Sequence, residues 1–263
     1  MKHTIIVTGI ALALMVQTSW AALLAQDTFS YATNATIVGQ GSDSNWPTAG
    51  KKWTGATTAI METGDMSYSN LAVSGDSVEV QGNNQGVFRA LGVTNSTAGQ
   101  ILWLSALMQV DQSVGNSYAG VSLYSGATEK FFFGQRNVDS KWGIEISNNG
   151  PRTDSTVSTA SNVTAFLVVE LDGIAGAIRL YVNPTTLGGN APATASATIS
   201  FANFSFDTFR IQSGGAEKLD VDELRLGTTY ASVTPMAVPE PTTALLLALG
   251  GGLTCLLRLK QRL

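Results

Sequence analysis

From Phe29 onwards the apolar residues recur at every second position rather than every 3.6, in short clusters separated by Gly, Asn, Asp and Ser. Successive strand residues point to opposite faces, so this alternation suits a sheet with one buried face and gives a helix no continuous apolar stripe. It predicts strands over Met66 to Val73, Ser77 to Gln81, Val87 to Leu91, Ile101 to Val110, Ala119 to Tyr124 and Lys130 to Gln135. Further strands are predicted over Trp142 to Ser147, Ala165 to Leu171, Ala177 to Val182, Ala197 to Phe201, Phe206 to Gln212 and Leu219 to Leu226. Asn83-Asn84-Gln85-Gly86, Ser125-Gly126, Asn148-Asn149-Gly150-Pro151 and Asp172-Gly173-Ile174-Ala175-Gly176 supply turn residues between them. In the last hairpin, Leu167, Val169 and Leu171 alternate with Val168, Glu170 and Asp172, predicting one core face and one wet face. About a dozen antiparallel strands without helices are best packed face to face, so the expected fold is all-β, a two-sheet jelly-roll sandwich.

The two ends follow other rules. Lys2 and His3, the apolar run Ile5 to Val16, and the small residues Ser19 and Ala21 have the order of a secretory signal peptide, assigned to residues 1–25. Cleavage after Ala21 fits the small-x-small rule, and cleavage after Ala25 would open the mature chain at Gln26; both stay open. At the other end, Val238-Pro239-Glu240-Pro241 precedes an apolar run from Thr242 to Leu257 and the basic residues Arg258, Lys260 and Arg262. That run predicts a short transmembrane helix, below the ~20 residues that span a bilayer comfortably and weakened by Gly250, Gly251 and Gly252. The terminal basic residues would stay on the cytoplasmic side, which puts the body on the opposite side of the inner membrane. The expected organisation is a sandwich over 26–233, a linker over 234–237 and a C-terminal signal over 238–263.

Pro-Glu-Pro, a short apolar helix and a basic end, in that order, resemble the PEP-CTERM sorting signal of Gram-negative bacteria. The resemblance implies export by the Sec machinery, transient anchoring in the inner membrane, removal of the tail by an exosortase, and a final location on the cell surface or in the extracellular matrix. Pro239, Glu240, Pro241, Arg258, Lys260 and Arg262 would form the processing signal. Within the body, Phe29-Ser30-Tyr31, Gly39-Gln40, Trp46 and Trp53-Thr54-Gly55 resemble the opening of concanavalin A-like, laminin-G-like sandwiches. Leu171-Asp172-Gly173 with Leu180 to Pro184, and Asp222 to Tyr230, are similar to their late hairpin and closing strand. That resemblance implies architecture and little chemistry.

The 263 residues carry a net charge of −4 and only 13% charged side chains, which argues against a nucleic-acid partner. The one histidine, His3, lies in the signal peptide and the one cysteine, Cys255, in the terminal apolar run. The body therefore holds no disulfide, no histidine-based metal site and no Ser-His-Asp or Cys-His triad. Glu145 in Trp142 to Ser147 is a candidate acid, but Ser147 stands where a paired carboxylate would be needed on that face. Asp220 and Asp222 share a face of the closing strand, with Glu223 on the other. The aspartates suit a calcium site only if loops add oxygens, so no cofactor is assigned. Trp46, before Pro47 in a polar loop, is the aromatic expected to be exposed for glycan contact, while Trp103 and Trp142 are expected in the core. The leading expectation is a non-enzymatic surface or matrix protein contacting extracellular polysaccharide. A polysaccharide hydrolase or lyase on the same fold is the alternative, and a structural matrix component without a specific ligand the third reading.

Overall fold

A computed structural model describes residues 22–41, 45–82, 84–111, 117–136, 140–147, 150–215 and 217–237, and within these the alternating segments pair into two antiparallel sheets. The first runs β13 (Ala197–Ser200), β12 (Ala177–Val182), β11 (Ala165–Asp172), β6 (Ile101–Asp111), β15 (Lys218–Gly227), β4 (Ser77–Gln81) and β3 (Ile60–Glu62). Its eighth strand, β1 (Leu23–Asp27), pairs with the second half of β15. The other sheet runs β10 (Arg152–Ser158), β9 (Lys141–Ile146), β8 (Thr128–Gln135), β7 (Tyr118–Ser125), β14 (Ser205–Gly214), β5 (Gln85–Ser96) and β2 (Thr54–Gly55). The arrangement is the all-β, two-sheet sandwich expected. Inward residues such as Leu104, Met108, Leu167, Val169 and Val221 meet Val121, Leu123, Phe131, Phe133, Phe209 and Ile211 in one core. Each large aliphatic side chain buried there stabilises the fold by roughly 1.5–3 kcal/mol. Trp142 belongs to this core.

Met66 to Val73 is not a strand. Ser69 has φ 50°, Leu71 N–H donates to the Tyr68 carbonyl, and among the described residues the segment's strand-type pairing is a single isolated bridge from Leu71 to Met236. Its alternation is nevertheless used, because Met66, Tyr68, Leu71 and Val73 pack onto the outer surface of the eight-stranded sheet. There they join Trp103, Leu107, Phe166, Val168, Tyr181 and Leu187, together with Tyr230 and Val233 of the single helical turn α1 (Tyr230–Val233). This second apolar layer overturns the expected wet face of the late hairpin: all eight residues of β11 are buried. Glu170 and Asp172 are accommodated by sharing Arg179, at 2.9 and 3.1 Å. Asp172 also caps the turn, accepting from the backbone of Ile174 and Ala175.

Two expected boundaries move. β1 starts at Leu23 and its Ala25 is fully buried, so the folded body begins before residue 26. Residues 234–237 are docked rather than a linker: Thr234 is fully buried, Gly188 N–H donates to its carbonyl, Ala72 N–H donates to Pro235, and Ala237 N–H donates to Asn70. Residues 1–21 of the expected 1–25 signal peptide, and 238–263 with the expected membrane helix, lie outside the described residues. Among those described, no helix is long and apolar enough to cross a membrane.

Candidate functional site

While a second apolar layer covers much of the outer surface of the eight-stranded sheet, that of the seven-stranded sheet carries a cleft of about 290 Å³. Strand register builds it in two rows. One row crosses β14, β7, β8, β9 and β10 as Arg210, Ser122, Phe132, Glu145 and Arg152. The adjacent row reads Gln212, Gly120, Gly134, Gly143 and Asp154, three glycines abreast at the centre of the sheet. Glycine in a strand interior weakens the strand and marks a close approach, and here the approach is by side chains lying flat. A Cβ on Gly143 would sit 2.4 Å from Asp154 Oδ1 and 2.9 Å from Arg136 Nε. One on Gly86 of β5 would sit 2.5 Å from Arg210 Nε. Larger residues would lift these groups and fill the cleft.

Hydrogen bonds fix the polar lining. Gln212 Nε2 donates to Ser122 Oγ at 2.7 Å and Glu129 Oε1 at 3.0 Å, and Ser122 and Glu129 are bonded to each other. Arg136 holds both oxygens of Asp154 in a bidentate pair and stands 3.9 Å from Glu145. Tyr118 bonds Asn84 at the rim, edge-on to Phe132. Arg210 lies 5.0 Å from the centre of the Phe88 ring and donates to the Tyr124 hydroxyl at 3.0 Å, within cation–π reach. Burial pushes the phenols of Tyr118 and Tyr124 up, against the opposing pull of Arg210, so both are hydroxyl donors at neutral pH. The surface thus offers aromatic faces, hydroxyl and amide donors, and guanidinium groups within one cleft.

Of the residues singled out from sequence, Glu145 lies in this cleft. Trp46 does not. It is only 5% exposed, donates from Nε1 to the Ala90 carbonyl at 2.8 Å, packs beside Trp53 and Phe209, and carries the Arg89 guanidinium 4.0 Å from its ring. The polar loop around it misleads because the ring is drawn inward by a buried ion pair, Arg89 with Asp27. Asp220 and Asp222 do share the outer face of β15, but the oxygens of Asp222 are engaged by backbone donors, while Asp220 Oδ1 is buried without a hydrogen-bond partner. Asp222 accepts from the backbone of Met66 and Glu223, and its carboxyl is pushed up to about 8 by burial and by the neighbouring Glu223. Asp220 is pushed up to about 6 by burial and by Glu79, which Lys218 pairs at 2.6 Å. Glu223 does not face the opposite side: a bulge with φ 52° returns it to the side of Arg225, with which it pairs. Among the described residues, no group of three or more His, Cys, Asp or Glu is placed to hold a metal ion. Pro239, Glu240, Pro241, Arg258, Lys260 and Arg262 fall outside the described residues.

Sequence reasoning missed Glu129, Arg136, Arg152, Arg210 and Gln212 as members of one site. The available signal was Gly120, Gly134 and Gly143, each inside a predicted strand, where glycine marks a bulge or a close approach.

No family model and no curated protein matches the chain. Among solved structures, the T. cruzi calreticulin globular domain is similar over 81% of this chain and 91% of its own, at 8% identity and a TM-score of 0.49. The alginate lyase from Corynebacterium sp. is similar over 57% and 76%, at 11% identity and 0.43. The botulinum neurotoxin serotype D binding domain is similar over 75% of this chain, at 10% identity and 0.46, and this chain spans 49% of that one. None of these likenesses carries an argument about the site.

Proposed function

We propose that this is an exported protein of the cell surface or extracellular matrix, released from the inner membrane by an exosortase, whose jelly-roll, concanavalin A-like body contacts glycans without cleaving them. The single observation supporting glycan contact is the cleft, where Tyr118 and Phe132 offer ring faces beside the donors and acceptors of Gln212, Glu129 and Arg210. Sugar rings have apolar faces and hydroxyl edges, and such a lining meets both. The non-catalytic part is supported by the engagement of the two carboxylates: Glu129 is hydrogen-bonded to Ser122 and Gln212, and Glu145 stands beside Arg136. The test is binding of the purified protein to a glycan array, repeated with Tyr118→Ala. Expected are glycan binding by the wild type and a fall of roughly threefold to tenfold in the variant, the weight of one aromatic contact. Binding to no glycan would refute the reading.

The hydrolase or lyase alternative is favoured by one fact, that Glu129 and Glu145 line the same cleft. Release of reducing ends or of unsaturated sugars from exopolysaccharide, abolished by Glu145→Gln, would make the protein an enzyme.

A further inference from the structure

We infer that the cleft selects an acidic oligosaccharide lying across the strands, with its anionic groups met by Arg152 at one end and Arg210 at the other. The inference rests on the glycan reading above and adds the class and direction of the ligand. Six arginines lie among the described residues, and four are paired with carboxylates: Arg89 with Asp27, Arg136 with Asp154, Arg179 with Glu170 and Asp172, and Arg225 with Glu223. Arg152 and Arg210 have no carboxylate partner among the described residues, and both line the cleft. Arg210 Nε is buried with no acceptor, although a guanidinium nitrogen out of water normally finds one. A chain of net charge −4 supplies abundant carboxylates, so two guanidiniums left over in one cleft are placed for an anion that comes from outside.

Their separation sets the size of that ligand. Arg210 and Arg152 end the same cross-strand row, four strand intervals apart, which is roughly 19 Å at ~4.8 Å per interval. An oligosaccharide perpendicular to the strands can reach both. On the way it crosses Ser122, Phe132 and Glu145, the last offset by Arg136 at 3.9 Å, with Tyr118 and Tyr124 on the strand beside Phe132. Carboxylate of a uronic acid and sulfate ester would satisfy a guanidinium alike, and neutral glycans would leave both arginines unpaired.

The experiment is calorimetric titration of the purified protein with four probes: a hexamer of 1,4-linked uronic acid, the same hexamer with its carboxyls reduced to alcohols, a sulfated hexasaccharide, and the uronic acid monomer. Expected is binding of one or both acidic hexamers at least tenfold tighter than the reduced hexamer and the monomer, weakening as salt is raised. Arg152 is exposed, so Arg152→Gln can be made without disturbing the core and should weaken acidic binding roughly threefold. Arg210→Lys keeps the charge but not the fork and should cost more, about tenfold, with the unfolding temperature checking that the fold is intact. Equal affinity for the acidic and reduced hexamers would overturn the charge selection while leaving glycan contact standing. Binding of the monomer as tightly as the hexamer would overturn the cross-strand path. Failure of all four probes, together with an empty glycan array, would remove both the inference and the reading beneath it.

Discussion

Replacing Asp27 by alanine should be the most damaging single change in the molecule that leaves the cleft untouched. Asp27 is fully buried at the end of β1 and accepts from Arg89 Nη1, Trp53 Nε1 at 2.7 Å and Tyr31 OH at 3.1 Å on one oxygen, and from the Phe29 backbone N–H at 2.9 Å on the other. The partner Arg89 is 1% exposed, donates to the Lys51 carbonyl, and is stacked on Trp46. Without the carboxylate, a guanidinium stays buried in apolar and aromatic surroundings and an indole N–H loses its acceptor. Breaking a buried pair from one side costs about 3–5 kcal/mol, much of it the stranded charge. For a body of this size that is a fall of roughly 6–20 °C in unfolding temperature.

The assay is urea unfolding followed by tryptophan fluorescence, since Trp46 and Trp53 flank the pair. Arg89→Met alone should also destabilise, and the Asp27→Ala, Arg89→Met double variant should be more stable than the sum of the single losses, because no stranded charge remains. A loss below about 1 kcal/mol for Asp27→Ala, or strict additivity in the double variant, would refute the argument that this pair organises the β1 end of the core.

Three further outcomes are expected. Asp222, with a folded-state carboxyl near 8 against about 4 in an unfolded chain, binds a proton more tightly when folded. Its contribution is therefore fully present below pH ~4 and lost as pH rises towards 8, so urea stability should decline over that window and Asp222→Asn should flatten the decline. Intact mass of the exported protein should place the mature N-terminus at Ala22 rather than Gln26, because a cut after Ala25 removes the buried Ala25 and half of the β1 pairing with β15; a start at Gln26 would contradict this. Replacing Pro239, Glu240 and Pro241 by alanine should leave export intact but keep the tail on the protein, and the same uncut C-terminus in cells with and without the exosortase would mean the tail is only an anchor.

The fold was legible because a buried face imprints a period of two on a strand, and Ser77 to Gln81 and Ala177 to Val182 carry that period. What lay outside an alternating core was not. β10 is almost wholly polar, Arg152 to Ser158 with one valine, and pairs through its backbone at the sheet edge, so no apolar signal announced it. Met66 to Val73 alternates like a strand because it covers a sheet instead of joining one. Alternation says which residues leave the core but not what meets them there, so Val168 and Glu170 read as solvated when a second layer encloses them. The same blindness hid the site. Glu145 looked solitary along β9, where Ser147 follows it on one strand, but a cleft on a sheet is assembled across strands, and its neighbours there are Phe132 and Arg152 in register beside it. The two outer surfaces then divide the roles. Tyr230, Trp103 and Tyr181 close one sheet with their rings in mutual contact, while the glycine row of the other keeps Arg136 and Phe132 flat and the surface open. Under the proposed reading, an aromatic therefore reports glycan contact only if it lies on the outer surface of the seven-stranded sheet. On that criterion Tyr118 replaces Trp46 as the side chain through which binding should be lost first.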